Sequence, residues 1–272
     1  MKTIQDAQTI DSLINFLEKK GENHNFYYHY TSWDSFVKIY TDGTFLLTRG
    51  NSLTINDQHE AIMKGSWRTW NKTYIGSFAY GSSENMAMWG LYGLPWEDAV
   101  RIVIPKESML DWIKSLSSVS LWDNGKKRGT VFDPKISLTD IVYVSGVKGK
   151  DDLRLTYNNK SFTISRLPEL HGLDTNPNMT GYIKNYAWHY ENEVRIRVEL
   201  PQDTGYEKIL LNIPPTTIDT IQITTGPCFK YKDDDVYKQL CYQNRVNESG
   251  FKNLVRYRAL CSMCQHGSFE KR

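Results

Sequence analysis

Residues 26–43, FYYHYTSWDSFVKIYTDG, predict a short aromatic strand that passes directly into a helix. Phe26 to Tyr30 combine aromatic side chains that favour a pleated, half-buried strand. Thr31, with Asp34 three residues later, resembles a capping box at the start of a helix, and Gly43 is placed to end it. The first strand therefore ends in polar side chains at a helix start.

Strand-like and helical stretches alternate in the rest of the chain, which predicts the α+β class. Strands are expected at 45–48, 74–80, 99–104, 193–200, 206–213 and 217–224, and helices at 9–20, 58–64, 84–93, 107–116 and from about 233. The 272 residues fit one large domain. Residues 118–180, rich in Gly, Asn, Lys and Asp, predict an inserted lobe or long loops. Residues 231–272 predict a C-terminal helical extension.

The composition gives no strong preference for charged partners. Thirty-three basic and 31 acidic residues leave a formal net charge of +2, so no global field favours nucleic acid or an anionic membrane. The sequence has no run of about 18 apolar residues and no signal-peptide pattern. We therefore expect a cytoplasmic protein that does not interact with membranes. An aromatic content of 13% is high enough for some rings to serve as stacking surfaces.

The cysteines favour reduced thiols over a metal site. All four, Cys228, Cys241, Cys261 and Cys264, lie close to the C-terminal end of the sequence, too clustered for a disulfide framework. Cys261, Cys264 and His266 supply three ligands, whereas a structural zinc site needs four, so Cys228 or Cys241 would have to join them. We expect no bound metal.

Common catalytic signatures are missing from the sequence. HExxH, the Walker loop, GxGxxG and GxSxG do not occur. The remaining candidates are polar and aromatic residues at strand ends, in four groups: His29 to Ser32, Arg49 to Glu60, Ser77 to Trp89, and Glu191 with Glu193.

The order and spacing of these residues resemble the bacterial DUF2971 family. The resemblance covers roughly residues 26–230 and rests on four motifs: His29-Tyr-Thr-Ser, Asn56-Asp-x-x-Glu, Ser77-Phe-Ala with Trp89 beyond it, and Tyr190-Glu-x-Glu-x-Arg. That family is similar to ADP-ribosyltransferases, which bind NAD in the cleft of a split sheet. The resemblance thus implies a split mixed or antiparallel β-sheet core flanked by helices.

The resemblance also implies roles in binding NAD. His29 matches a histidine that contacts the adenosine ribose, Thr31 falls where a serine meets the carboxamide side of nicotinamide, and Tyr30 replaces a glycine. Ser77 stands where the family has a stacking tyrosine, while Trp89 lies near the second stacking position and can equally fill a core. The full predicted NAD-binding set is His29, Tyr30, Thr31, Ser32, Arg49, Asn56, Ser77, Phe78, Trp89 and Arg195.

The predicted catalytic residues are Glu193, Glu191 and His29. Glu193 resembles the catalytic glutamate, and Glu191 completes a Glu-x-Glu like that of toxins that modify side chains. On an extended strand two such carboxylates face the same side. One can stabilise an oxocarbenium-like centre and the other can accept a proton. The same charges can instead form ion pairs on a solvated face.

The function that the resemblance implies is NAD-dependent ADP-ribosyl transfer to a macromolecule, by a bacterial toxin or anti-phage effector with an antitoxin or inhibitor as a further partner. The acceptor is protein or single-stranded RNA or DNA, for which residues 64–74, KGSWRTWNKTY, supply interleaved aromatic and basic residues. Arg49, Arg195 and Lys184 are candidates to neutralise the pyrophosphate. The alternatives are an inactive nucleotide- or partner-binding module, favoured by Ser77, an NAD glycohydrolase, or an RNA 2'-phosphotransferase-like enzyme.

Overall fold

The protein is described by a computed structural model that covers residues 3–7, 9–52, 67–81, 83–146, 153–163 and 176–251. Within these ranges the α-helices are α1 (Ile10–Gly21), α2 (Trp33–Asp42), α3 (Trp67–Trp70), α4 (Met86–Tyr92), α5 (Lys106–Ser115), α6 (Pro215–Ile218) and α7 (Asp235–Tyr242). Short 3-10 helices occupy Ile4–Asp6, Trp96–Asp98, Pro177–Met179 and Tyr186–Glu191.

The described strands belong to two sheets. They are β1 (Phe26–Ser32), β2 (Thr44–Arg49), β3 (Thr73–Ala79), β4 (Ala99–Pro105), β5 (Ser118–Asp123), β6 (Lys126–Phe132), β7 (Lys135–Asp140), β8 (Val142–Gly146), β9 (Leu153–Tyr157), β10 (Lys160–Thr163), β11 (Ile183–Asn185), β12 (Glu193–Glu199), β13 (Lys208–Asn212), β14 (Gln222–Thr225) and β15 (Val246–Glu248). Eleven of them form a mixed sheet in the order β15-β14-β4-β1-β3-β2-β13-β5-β6, with β12 between β3 and β7. This large sheet, flanked by helices, confirms the predicted α+β class.

The strand β3 carries neighbours that diverge along one of its edges. Strand β12 pairs with β3 along its whole length, from Thr73 to Ala79. On the opposite edge β3 meets β2 at Tyr74 and Ile75 but meets β1 only at Ala79. Strands β1 and β2 therefore separate beside residues 76–78, and the sheet is split at this point.

The junction between β1 and α2 follows the sequence closely, with a shift of one residue at the cap. Ser32, not Thr31, is the N-cap, and its hydroxyl accepts a hydrogen bond from Ser35 N at 3.3 Å. Gly43 ends α2 in the left-handed conformation (φ 61°), where a glycine is least strained. Thr31 consequently stays in the strand.

Alternation along β12 places apolar residues in the main core. Val194, Ile196 and Val198 are buried among the side chains of the large sheet and its helices. Glu193, Arg195 and Arg197 lie on the opposite face and are also buried, each at most 2% exposed. Arg197 Nε donates to Thr180 O at 2.7 Å, so residues near 180 cover this charged face. The alternative interpretation, a solvated face with ion pairs, therefore does not apply to these three residues.

The second sheet has the order β10-β9-β8-β11 and packs with α1. Leu13, Phe16 and Leu17 of α1 share a core with residues of this sheet such as Leu155 and Ile183. The range 118–180, expected to be an inserted lobe or long loops, contains strands β5 to β10 and residues outside the description.

The C-terminal part of the chain is described up to residue 251. The predicted extension at 231–272 contains α7 and then β15, while 252–272 lie outside the described residues. The helix expected at 58–64 also falls outside them. In the described part of the chain, every helix is too short or too polar to cross a membrane.

Candidate functional site

A buried network of charges surrounds Glu193 at the start of β12. Its carboxylate accepts hydrogen bonds from Ser77 Oγ at 2.5 Å, Arg195 Nε at 2.6 Å and Lys184 Nζ at 3.0 Å. Arg195 Nη2 adds a second contact at 3.1 Å, which makes the arginine pair bidentate. The Glu193 amide donates to Tyr143 Oη at 2.9 Å. Glu193 is therefore held by donors from three strands, β3, β11 and β12.

Glu191 joins the same network by a route that the sequence did not predict. It ends a 3-10 helix, and Asn192, in the left-handed region at φ 46°, separates it from β12. The prediction that both glutamates share an extended strand is wrong. Their carboxylates still converge, because Lys184 Nζ lies 2.6 Å from Glu191 Oε2 and 3.0 Å from Glu193 Oε2. Tyr92 Oη donates to Glu191 Oε1 at 2.7 Å.

The two carboxyl groups differ in proton affinity. Burial, followed by the charge of Glu193, raises the pKa of Glu191 despite the opposing effect of Lys184. Burial acts in the same direction on Glu193, but Arg195, Lys184 and the hydrogen bond from Ser77 outweigh it and hold the pKa of Glu193 well below its usual range. Such divergence within a carboxylate pair is typical of acid–base sites. Glu193 is therefore held as the anion, and Glu191 is the carboxyl group of the pair that takes up a proton more readily.

A cavity of about 240 Å³ opens beside Glu191, and we name it the tyrosine cavity. Its wall includes Tyr28, Tyr30, Tyr80, Tyr190, Glu191 and Arg101. The tyrosines supply flat aromatic surfaces, and the carboxylate and guanidinium supply opposite charges. This combination suits a ligand that carries both a ring and a charged group.

Arg101 also lines this cavity, although it is not among the predicted site residues. It lies in the apolar strand segment AVRIVI, residues 99–104, where it is the single charged residue. A charged residue in an otherwise apolar run was the available signal, since such residues are seldom buried without a partner.

His29 lies on the other face of the sheet, in a second cavity of about 450 Å³ between β1, β2 and α2. Thr31 also lines this cavity. His29 Nδ1 donates to Ser77 O at 2.9 Å, so it pairs with a backbone carbonyl of β3 at the point where β1 and β2 separate. Burial lowers the pKa of His29, which leaves the imidazole neutral at pH 7. His29 thus serves here as a hydrogen-bonding residue.

Trp89 does not face either cavity. It is fully buried, its ring packs edge-on against Tyr30 at 4.8 Å, and its Nε1 donates to Glu84 at 3.0 Å. Among the described residues, His29, Trp89 and Glu193 therefore do not converge on one cavity, contrary to the expected arrangement. The aromatic surface beside the glutamates comes from tyrosines instead.

The other predicted residues are dispersed. Phe78 is buried in the core of the large sheet, and Arg49 faces Asp203 at 3.7 Å. Asn56 lies outside the described residues. In the segment 64–74, expected to suit single-stranded nucleic acid, Trp70 and Tyr74 are both buried and offer no exposed stacking surface.

No family of known proteins matches this sequence, and no curated protein is significantly similar to it. The resemblance to the DUF2971 family stays a prediction. In the described part of the chain, no three His, Cys, Asp or Glu residues are grouped so that they could hold a metal ion. Cys261, Cys264 and His266 lie beyond that part.

Proposed function

We propose that the protein is an NAD-dependent ADP-ribosyltransferase whose reaction takes place in the tyrosine cavity. The observation that carries the proposal is the position of Glu191. Its carboxyl group has a raised pKa, lines an aromatic cavity, and lies beside an anion that Arg195 and Lys184 hold in place. Residues from three of the motifs that resemble the transferases also lie on adjacent strands: His29 on β1, Ser77 on β3 and Glu193 on β12.

The cavity volume limits which part of NAD it accepts. Ligand pockets usually span roughly 300 to 1,000 Å³. A volume of about 240 Å³ is smaller, so it takes one end of a dinucleotide. This end is the nicotinamide ribose, because tyrosine faces attract its cationic ring. That attraction is lost once the ring leaves as neutral nicotinamide.

The proposed chemistry divides between the two glutamates. The bond between nicotinamide and ribose breaks with its electron pair going to nicotinamide, and the acceptor attacks the ribose carbon. Glu191 accepts the proton of the acceptor, because a carboxylate of raised pKa is the stronger base. Glu193 is a positioning residue: it holds Lys184 in place, and Lys184 in turn orients the carboxylate of Glu191.

The test is incubation of the purified protein with NAD labelled in its adenylate half, together with separate pools of protein, RNA and DNA. We expect label on one macromolecule pool, lost in Glu191→Gln. Glu199→Gln is the matched control, since Glu199 lies on β12 and pairs with Lys72 at 2.8 Å instead of with Lys184. Nicotinamide release without transferred label would indicate NAD hydrolysis, and neither product would refute both activities.

A second candidate is a nucleotide-binding module without catalysis. It is favoured by the saturation of the Glu193 carboxylate, which accepts bonds from Ser77, Arg195 and Lys184 and is 2% exposed. Recovery of intact NAD from a complex with the protein, with no nicotinamide released, would establish this function in place of the transferase.

A further inference from the structure

Arg101 is a buried cation without a carboxylate partner in the described structure. Its side chain is 7% exposed, and Nη2 donates to Thr224 Oγ1 at 3.2 Å. Its Nε and Nη1 atoms have no hydrogen-bond partner among the described residues and are closed to solvent. Its guanidinium lies 4.5 Å from the ring centroid of Tyr28 and 5.8 Å from that of Tyr30. Aromatic faces therefore surround a cation that lacks an anion.

The carboxylates that line the same cavity are already engaged. Glu84 accepts hydrogen bonds from Trp89 Nε1, from the Ser249 hydroxyl and from Gly250 N. Glu191 accepts from Lys184 and Tyr92. Leaving donors of a buried charged group unpaired is costly, and the cost is recovered when an anion binds them.

We propose that Arg101 binds a phosphate group of the ligand in the tyrosine cavity. The guanidinium presents donors in a planar fork that matches phosphate oxygens, and two of its nitrogens have no other role in the described structure. The free nitrogens are closed to solvent, so a phosphate reaches them after Arg101 or a covering tyrosine rotates. The ligand class is a phosphorylated nucleoside, an identity that rests on the proposed function.

Arg101 and Glu191 both line this cavity, together with tyrosine side chains, and supply opposite charges to it. A phosphate bound at Arg101 would hold the ligand with its sugar beside Glu191. Three residues were predicted to neutralise the pyrophosphate. Lys184 and Arg195 bind the carboxylate of Glu193, while Arg49 faces Asp203 and does not line this cavity. Arg101 is the cation of the cavity wall that retains donors for a ligand.

The test measures binding without catalysis, by titration calorimetry with ADP-ribose, nicotinamide mononucleotide and nicotinamide riboside, and with inorganic phosphate as the simplest probe. We expect ADP-ribose and nicotinamide mononucleotide to bind and nicotinamide riboside to bind at least tenfold more weakly, because charge-assisted hydrogen bonds are lost. Arg101→Met should weaken binding of nicotinamide mononucleotide about tenfold or more and leave binding of nicotinamide riboside unchanged. Arg154→Met, an exposed arginine on β9, is the matched control.

Thermal melting of the same variants separates a binding role from a structural one. Because an unpaired buried charge is removed, Arg101→Met should melt at or above the temperature of the unaltered protein without ligand and lose the rise that ADP-ribose causes. If this variant fails to fold, Arg101→Lys keeps the charge without the planar fork and should weaken binding of nicotinamide mononucleotide several-fold.

These binding experiments can fail or succeed independently of the test for ADP-ribosyl transfer. Equal affinity for nicotinamide mononucleotide in the unaltered protein and in a folded Arg101 variant overturns the inference, as does a failure of every phosphate-bearing ligand to bind. Binding that depends on Arg101 while NAD stays intact and no label is transferred supports the phosphate site and refutes the transferase.

Discussion

Replacing Lys184 with methionine should destabilise the protein, because Lys184 lies between the carboxylates of Glu191 and Glu193. Lys184 Nζ lies 2.6 Å from Glu191 and 3.0 Å from Glu193, and all three side chains are at most 6% exposed. Removing one partner of a buried ion pair costs about 3–5 kcal/mol, since the remaining charge is left uncompensated. We therefore expect Lys184→Met to lower the free energy of unfolding by about 4 kcal/mol near pH 7.

The loss of stability in Lys184→Met should depend on pH, because Lys184 lowers the pKa of Glu191. The folded-state pKa of Glu191 is already raised above its unfolded value, and removing Lys184 raises it further. A group of this kind stabilises the fold below its unfolded pKa, near 4.5, and loses that contribution as pH rises through the folded pKa. Each unit of pKa corresponds to about 1.4 kcal/mol. Lys184→Met should thus be less destabilised near pH 5 than near pH 7.

Urea unfolding followed by circular dichroism at both pH values measures these effects. Adding Glu191→Gln to Lys184→Met removes one of the two facing charges and should restore about half of the lost stability near pH 7. The control is Lys72→Met, because Lys72 pairs with Glu199 at 2.8 Å but is 32% exposed, and such a pair contributes about 1 kcal/mol or less. A loss in Lys184→Met that neither pH nor Glu191→Gln changes would refute the reasoning.

Two further predictions concern buried contacts outside the site. Asp140 is fully buried and accepts hydrogen bonds from His24 Nε2 and Tyr157 Oη, each at 2.6 Å. Asp140→Ala should therefore lower the free energy of unfolding in urea by about 3 kcal/mol, and a loss under about 1 kcal/mol would contradict this. Gly21→Ala should cost about 2 kcal/mol, because a Cβ would lie 2.5 Å from a backbone oxygen of β7. Gly90→Ala, where a Cβ meets nothing within 4 Å, should instead stabilise α4 by about 1 kcal/mol, and equal effects of the two substitutions would refute the argument.

The elements that the sequence predicted well are those with local signals. The strand Phe26–Ser32 and the helix Trp33–Asp42 follow from an aromatic run, a hydroxyl cap and a terminal glycine. In β12, Val194, Ile196 and Val198 alternate with charged residues in the sequence, and these three side chains enter the main core. In each case the deciding residues lie within one element.

The arrangement of the site depended on contacts that one sequence does not reveal. Trp89 has the spacing of a helix residue, but only packing against β1 determines that it is buried beside Tyr30. The convergence of Glu191 and Glu193 depends on the left-handed Asn192 and on Lys184 from β11. Periodicity reports which side of an element is apolar, and it carries no information on which charged side chain will cover the other side.

The split at β3 also has a consequence for how the chain is made. Ser77 meets Glu193 across 116 residues of sequence, and one whole edge of β3 is occupied by β12 alone. On the ribosome, that edge therefore waits without its partner until most of the chain has been synthesised. An open strand edge is a template for pairing with other chains, and contacts of such long separation form slowly. Nascent chains that stop before β12 should consequently aggregate or require a chaperone.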